Sequence, residues 1–333
     1  MKCIFCLEER SPSEEHVFPL AIGGCLVTNR VCKVCNDMLG HKVDAGLSDN
    51  LLIRLRRAQL GLAGNSGKPP PLHEILLGKH PLVNDPEHYV RTTFNAVTGK
   101  LEAKTNYRKT VVTMPDGTMA HRIIVDESDR DELPKILQRE RKRLGLPPLA
   151  QEDLMREIEK ITQNPETIEN PTFNVQLTFG FKYLRHAMMK IAYELAFLWL
   201  GELYLDDPHA ALLREAICNP DPKSADTVQG YVGDVESAGD TFQFWASNTT
   251  DHLAFAFPDN KIIAIMIRIF DIYAAIIPVT DNAMRYLSGA GSDEKLRFIS
   301  MRPGQGQMVD VPVMQGLMQA ASLLTKGRHG SHG

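Results

Sequence analysis

Apolar residues recur along the chain with two different periods, and the change of period separates predicted helices from predicted strands. In residues 183 to 205, large apolar side chains return every three or four positions, which predicts a long helix at the core of its domain. Residues 128 to 163 are charged, carry narrower apolar stripes and are broken at residues 145 to 148, so they predict two surface helices. Residues 88 to 126 favour two strand hairpins, and residues 228 to 279 favour further strands. The pattern predicts an α+β protein.

Glycine and proline concentrate in residues 61–72, in the run GLAGNSGKPPP, which is typical of a linker. This segment separates a cysteine-rich head, defined here as residues 1–60, from a predicted α+β domain at residues 73–324. That larger domain is expected to serve recognition, sensing or dimerisation. The last residues, 325–333, contain no core-forming side chain and are predicted to be disordered.

Composition and charge limit the possible partners. A formal net charge of -4 argues against a uniformly basic nucleic-acid-binding surface, so any such surface must be local. Apolar runs are too short or too interrupted to span a bilayer, and the first residues lead directly into a cysteine motif without an apolar leader. We therefore expect no membrane contact and a cytoplasmic location. Candidate basic patches are Arg54, Arg56 and Arg57; Lys100, Lys104, Arg108 and Lys109; and Lys135, Arg139, Arg141, Lys142 and Arg143, although solvated helix faces explain each patch equally well.

Four of the six cysteines stand in two CxxC pairs, Cys3 with Cys6 and Cys32 with Cys35. Each pair can place two thiolates on one tetrahedral zinc ion, and together the pairs complete its coordination. A site closed by four cysteines leaves no position for a substrate, so we expect this Zn²⁺ to be structural. Its binding would compensate for the small core that a segment of this length can form.

The residues between the two pairs narrow the interpretation. The run EEHVFP at residues 14–19 is followed by Gly23-Gly24, and Asn36 comes directly after the last cysteine. This order resembles the HNH (His-Me finger, ββα-metal) endonuclease family, whose members with a four-cysteine zinc carry an acidic residue, a His, a Pro three positions later, a Gly-Gly turn and CxxC-Asn opening a helix. The resemblance covers about residues 1 to 50.

The resemblance implies a small zinc-stapled ββα-metal domain with a defined catalytic set. His16 would be the general base, because an imidazole titrates near neutral pH. Glu15 and Asn36 would be oxygen ligands of a catalytic Mg²⁺ or Mn²⁺. Many relatives carry Asp at the position of Glu15. The longer carboxylate of Glu15 is expected to ligate the metal still, with a shifted position or preference.

Three further polar residues stay open at this level. Asn29 is either a brace for the His16 loop or an ordinary turn residue. On a regular α-helix, the neighbour of Asn36 one turn on is Gly40, so His41 is expected to contact phosphate or simply lie on the surface. Asp44 is closer to the face of Asn36, and a solvated helix charge is its simpler interpretation.

Two hypotheses from different classes follow from these observations. The first is a metal-dependent endonuclease that acts on nucleic acid, in first place DNA, in the manner of restriction or anti-phage defence proteins, and that forms a homodimer if it cuts both strands. The second is a non-catalytic zinc-finger head that binds nucleic acid or protein, with Arg54, Arg56 and Arg57 as its contact residues.

Overall fold

The computed structural model describes residues 1–83, 88–95, 97–105, 108–162, 172–175, 181–219, 221–238, 250–259, 261–288 and 292–320. These residues form two compact units, one made of Met1–Pro71 with Phe179–Gly333 and the other of Leu72–Thr178. Helices and antiparallel sheets together make the fold α+β, as predicted. In the part of the chain that the structure describes, no helix combines the length and apolar character that crossing a bilayer requires.

The head begins with a two-stranded hairpin that leads into helices. Strand β1 (Pro12–His16) pairs antiparallel with β2 (Val27–Cys32), with a bulge between Ser13 and Glu15. The connection between the strands contains a short 3₁₀ helix that ends at Gly23, whose φ of 85° is the left-handed conformation that glycine adopts without strain. The helices that follow are α1 (Lys33–Met38), a π-helical segment (Leu39–Asp44), α2 (Ala45–Ser48) and α3 (Leu51–Gln59).

The same compact unit contains a six-stranded antiparallel sheet and two long helices. Its strands in sheet order are β13 (Gln307–Pro312), β12 (Arg297–Arg302), β9 (His252–Pro258), β10 (Ile263–Ile269), β11 (Tyr273–Thr280) and β8 (Tyr231–Asp234). Helix α6 (Phe181–Leu200) packs on β10 and β11, and α7 (Pro208–Cys218) packs on α6. Strand β10 is buried along its whole length, which explains why its residues are apolar on both faces except for Arg268.

The second compact unit confirms the hairpins and helices that the sequence predicted there. It contains a three-stranded sheet and a separate hairpin, followed by two helices, and the turns before β5 and β7 contain Gly99 and Gly117 in the left-handed conformation. Its elements are β3 (Gly78–Pro81), β4 (Tyr89–Asn95), β5 (Lys100–Thr105), β6 (Arg108–Thr113), β7 (Met119–Ile124), α4 (Leu133–Arg143) and α5 (Gln151–Thr162). The short helices Met284–Leu287 (α8) and Ser292–Lys295 (α9) belong to the first unit.

The compact units divide the chain differently from the boundaries at residues 61–72 and 73–324. Residues of the head share one continuous hydrophobic core with α6, α7 and the six-stranded sheet, including Ile4, Phe18 and Leu47 from the head. Glycine at position 46 allows this packing, because a Cβ there would lie 2.6 Å from the Cβ of Tyr183 in α6. The head is thus part of a larger unit, and its functional division from the rest remains a prediction. The tail at 325–333 lies outside the described residues.

Candidate functional site

The four predicted zinc ligands meet at one point of the head. The sulfur atoms of the two CxxC pairs all lie within 4.8 Å of one another, and no other group of three or more His, Cys, Asp or Glu ligands was found among the described residues. The Sγ atoms of Cys6 and Cys32 are 3.9 Å apart. Tetrahedral zinc with bonds of about 2.3 Å places its sulfurs about 3.8 Å apart, so the spacing fits the metal. The cluster is arranged to hold a structural zinc.

Backbone N–H groups near the four sulfurs favour the thiolate form of Cys3. Cys32 is the residue that precedes α1, and its backbone N–H donates to the Sγ of Cys3 over 3.4 Å. Burial tends to raise the pKa of the Cys3 thiol, but backbone N–H groups outweigh it and lower that pKa to about 7. Burial raises the pKa of Cys35. Since zinc binds thiolates, the cation supplies the positive charge that buried sulfurs otherwise lack.

Glu15 and His16 are adjacent in β1 and lie in different surroundings. Successive side chains of an extended strand point to opposite faces. The Glu15 side chain is turned inward, with 3% of the residue exposed. Its Oε1 lies 2.5 Å from the Nζ of Lys190 in α6. The Oε2 atom of Glu15 has no hydrogen-bond partner among the described residues.

Lys190 stands at the centre of a buried ionic group, called here the Lys190 cluster and made of Lys190, Glu15, Asp44 and Glu194. Its Nζ lies 3.2 Å from the Oε2 of Glu194 and 3.5 Å from the Oδ1 of Asp44, and it donates to the backbone carbonyl of His16 over 2.6 Å. Burial disfavours the ammonium, yet the three carboxylates outweigh burial and raise the pKa of Lys190. Burial in turn raises the pKa of Asp44 to about 6 and that of Glu194 well above its usual range.

His16 is half-buried, and its side chain lines an open surface cavity of about 480 Å³. The walls come from three separate parts of the first compact unit, and glycine backbone forms much of them. They are Leu20, Gly23, Gly24 and Cys25 after β1; Gly61, Leu62, Ala63 and Gly64 after α3; and Gly304 and Gly306 from the turn between β12 and β13. Small walls of this kind let a ligand approach the main chain closely.

The Asn36 side chain is held against β1 in one orientation. Its Nδ2 donates to the backbone carbonyl of Glu14 over 2.6 Å and to the Oγ of Ser13 over 3.0 Å. A carbonyl oxygen only accepts, so the nitrogen must face Glu14 and the orientation of the amide is determined. The Oδ1 of Asn36 has no partner among the described residues. Free oxygens on Asn36 and on Glu15 are the donor type that Mg²⁺ and Mn²⁺ prefer, so both residues fit a hard cation chemically.

The helix after Asn36 differs from the regular α-helix assumed in the sequence analysis. The segment Leu39–Asp44 is π-helical, so the four-residue spacing used to compare Gly40, His41 and Asp44 is wrong there. Asp44 reaches the Lys190 cluster instead of solvent. Asn29 and His41 are both exposed.

Sequence reasoning missed Lys190 and Glu194. Both lie in α6, whose pattern was interpreted only as an apolar core helix. A signal was present, since a Lys and a Glu four residues apart are neighbours on one helix face, and that face here is mostly apolar apart from His186. Buried charges of this kind require partners, which the sequence alone does not identify.

Comparison with known proteins agrees with the arrangement of the head. Residues 3–52 match the family model described as HNH endonuclease. Neither the curated proteins nor the solved structures gave a match to this chain. The matched segment contains the four clustered cysteines together with Glu15, His16 and Asn36. Residues 3–52 of this chain are therefore similar to the HNH endonuclease family, and they contain a four-cysteine cluster placed to hold zinc.

Proposed function

We propose that this protein is a metal-dependent endonuclease that hydrolyses phosphodiester bonds of nucleic acid, and that its substrate is DNA. The observation that carries the proposal is the match of residues 3–52 to the HNH endonuclease family. The open cavity beside His16 supports it, because a nuclease base must be reachable by its substrate. The inert alternative, a zinc finger that only binds, has no need for such a cavity.

In this proposal each polar residue of the head has a distinct role. His16 accepts a proton from the attacking water, which a neutral imidazole does well near pH 7. Glu15 and Asn36 would hold a Mg²⁺ or Mn²⁺ ion through side-chain oxygens. When bound, that ion supplies positive charge against the phosphate oxygens as negative charge develops on them. The structural zinc holds the end of β2 to the start of α1 and thereby fixes Asn36.

The basic patch suggested for the non-catalytic alternative is largely engaged within the protein. Arg56 forms an ion pair with Asp271 over 2.8 Å. Arg57 is buried, and its guanidinium donates to the backbone carbonyl of Ser48 over 3.0 Å. Arg54 also has a partner within the chain. Side chains already held in internal contacts are poor candidates for a phosphate-binding surface, which favours the enzymatic hypothesis.

A plasmid-nicking experiment tests the proposed function. Zinc-loaded full-length protein is incubated with supercoiled plasmid DNA and either Mg²⁺ or Mn²⁺, and nicked and linear products are quantified. We expect His16→Ala to abolish cleavage while zinc content and melting temperature remain those of the wild type. Glu15→Gln should also lose cleavage, whereas Glu14→Gln, which changes the exposed neighbouring carboxylate, should retain it. Equal activity of the wild type and His16→Ala would assign the cleavage to another site or a contaminant.

The biological setting and assembly extend this proposal. Restriction or anti-phage defence in the cytoplasm is the setting we propose, by analogy with nucleases of this type. One HNH site cuts one strand, so production of linear plasmid without accumulation of nicked circles would require two sites, as in a homodimer. Light scattering at the protein concentration of the assay measures the mass directly, and a monomer that linearises plasmid in one step contradicts the dimer.

A further inference from the structure

One side chain from outside the family segment contacts the proposed catalytic strand at several points. The Nζ of Lys190 lies 2.5 Å from the Oε1 of Glu15 and donates to the backbone carbonyls of His16 at 2.6 Å and Val17 at 3.4 Å. Lys190 is 174 residues from His16 in sequence and has no exposed surface. The ammonium of Lys190 therefore contacts the Glu15 carboxylate and the backbone carbonyls of two successive residues, His16 and Val17.

Stability alone is a weak reason for this arrangement. Burying an ion pair costs desolvation, and well-packed apolar residues of similar volume stabilise an interior equally well or better. The charges of the Lys190 cluster do not balance, because three carboxylates surround one ammonium. In addition, neither carboxylate oxygen of Glu194 has a hydrogen bond. Apart from His186 and Glu194, the buried residues of α6 are mostly apolar, so a methionine at position 190 would suit most of its surroundings.

We propose that Lys190 is a positioning residue of the nuclease site, so that α6 completes a centre whose reacting groups all come from the head. This inference rests on the proposed function. Lys190 holds one oxygen of Glu15, which leaves Oε2 directed for the metal, and it holds the carbonyl of His16, which fixes the backbone that carries the imidazole. Outer partners that orient metal ligands in this way typically change metal affinity or activity about 10- to 100-fold when removed.

A competing role for Lys190 has effects of the opposite sign. An ammonium 2.5 Å from a metal ligand also repels a divalent cation and competes for the charge of Glu15. If competition dominated, removal of Lys190 would tighten metal binding and raise activity. If positioning dominates, the same removal weakens binding and slows turnover. The direction of the change therefore distinguishes the two roles.

The experiment compares Lys190→Met in a Glu194→Gln background with Glu194→Gln alone. Removal of Glu194's charge limits the unpaired carboxylate left in the interior when the ammonium is removed. Mn²⁺ binding is measured without substrate, from the loss of the free-ion electron paramagnetic resonance signal in zinc-loaded full-length protein. Cleavage of a fluorescein-labelled DNA duplex gives kcat and KM. We expect Mn²⁺ affinity and kcat each to fall about 10- to 100-fold, with KM changed less than about twofold, because substrate binding does not involve Lys190.

Each outcome decides the inference. Unchanged or tighter Mn²⁺ binding with unchanged or higher kcat overturns the positioning role. A wild type that does not cut, or that cuts as well after His16→Ala, removes the proposed function itself. If the double variant does not fold, Lys190→Arg in the same background replaces it. The guanidinium keeps the positive charge, but its planar donors cannot reproduce the ammonium contacts, so kcat must fall at least about tenfold in a folded protein. Wild-type kcat in that variant overturns the inference.

Discussion

The two ends of the β1–β2 hairpin are held by different kinds of interaction. At one end, Pro12 pairs with Cys32, and the four cysteines gather within one metal's reach. At the other end, His16 pairs with Val27, and the contacts come from distant parts of the chain. The first end is held by the cysteines of the head, with a hydrogen bond from the Tyr193 hydroxyl of α6 to the carbonyl of Ile4. The second end has no such cysteine cluster among the described residues and is held by side chains of α6 and β9 and by the backbone of the β12–β13 turn.

The second end has several such contacts. Lys190 donates to the carbonyl of His16, His252 contacts the carbonyl of Ile22, and the backbone N–H of Gly304 donates to the carbonyl of Gly23 over 3.0 Å. The loop between β1 and β2, which follows the proposed catalytic base, is therefore shaped by the body of the first compact unit. The cysteine cluster at one end and the tertiary contacts at the other lie on either side of Glu15, His16 and Asn36.

Removal of the zinc should have the largest effect on this arrangement. Binding of structural zinc by four thiolates contributes on the order of 10 kcal/mol. Cys35→Ser should lose the zinc, unfold the head and abolish cleavage, because the zinc would no longer join α1 to the end of β2. Elemental analysis and thermal unfolding measure both effects. Cys218→Ser, which changes an exposed cysteine outside the cluster, is the matched control and should keep one zinc per chain. Full zinc content in Cys35→Ser would contradict the four-cysteine site.

Replacement of Lys190 should have the second-largest effect on stability. Lys190→Met leaves Glu15, Asp44 and Glu194 buried without a counterion, and removal of one partner of a buried pair costs about 3 to 5 kcal/mol. Urea unfolding measures the change in the free energy of unfolding. The zinc should remain bound, because none of its ligands touches the cluster, and this separates the two ends of the hairpin experimentally. A loss below about 1 kcal/mol would mean that the carboxylates are already protonated in the wild type.

The same contrast explains how much the sequence could predict. Each CxxC pair brings two ligands together within four residues, so the gathering of the four cysteines was predicted correctly, whereas the role of Asn36 stays a prediction. The hairpins and helices of the second unit were also predictable, because their periodicity is local. Lys190 was not, since its contact with Glu15 exists only once α6 packs against the head. The π-helical turn that brings Asp44 to the same cluster has no pattern in the apolar residues that distinguishes it from an α-helix.

His252 offers the smallest and most specific test, through the pH dependence of stability. It is buried in β9, accepts a hydrogen bond from the backbone N–H of Phe270 at Nδ1 and therefore donates from Nε2 to the carbonyl of Ile22 over 2.9 Å. Burial lowers the pKa of His252 to about 4. Between pH 4 and 6.5 the unfolded chain then binds more protons than the folded chain, so this group makes stability rise with pH.

Its contribution should be complete above about pH 6.5 and lost progressively as the pH falls towards 4, by about 3 kcal/mol in total. Urea unfolding at a series of pH values measures how the free energy of unfolding changes with pH. His252→Gln should remove the part of this change that His252 contributes. It should also lower stability at pH 7, because the contacts with Ile22 and Phe270 change. An identical slope in the wild type and His252→Gln would show that His252 titrates normally. The loop after His16 would then not depend on a neutral imidazole, and acid sensitivity at this end of the hairpin would have to arise from the carboxylates around Lys190.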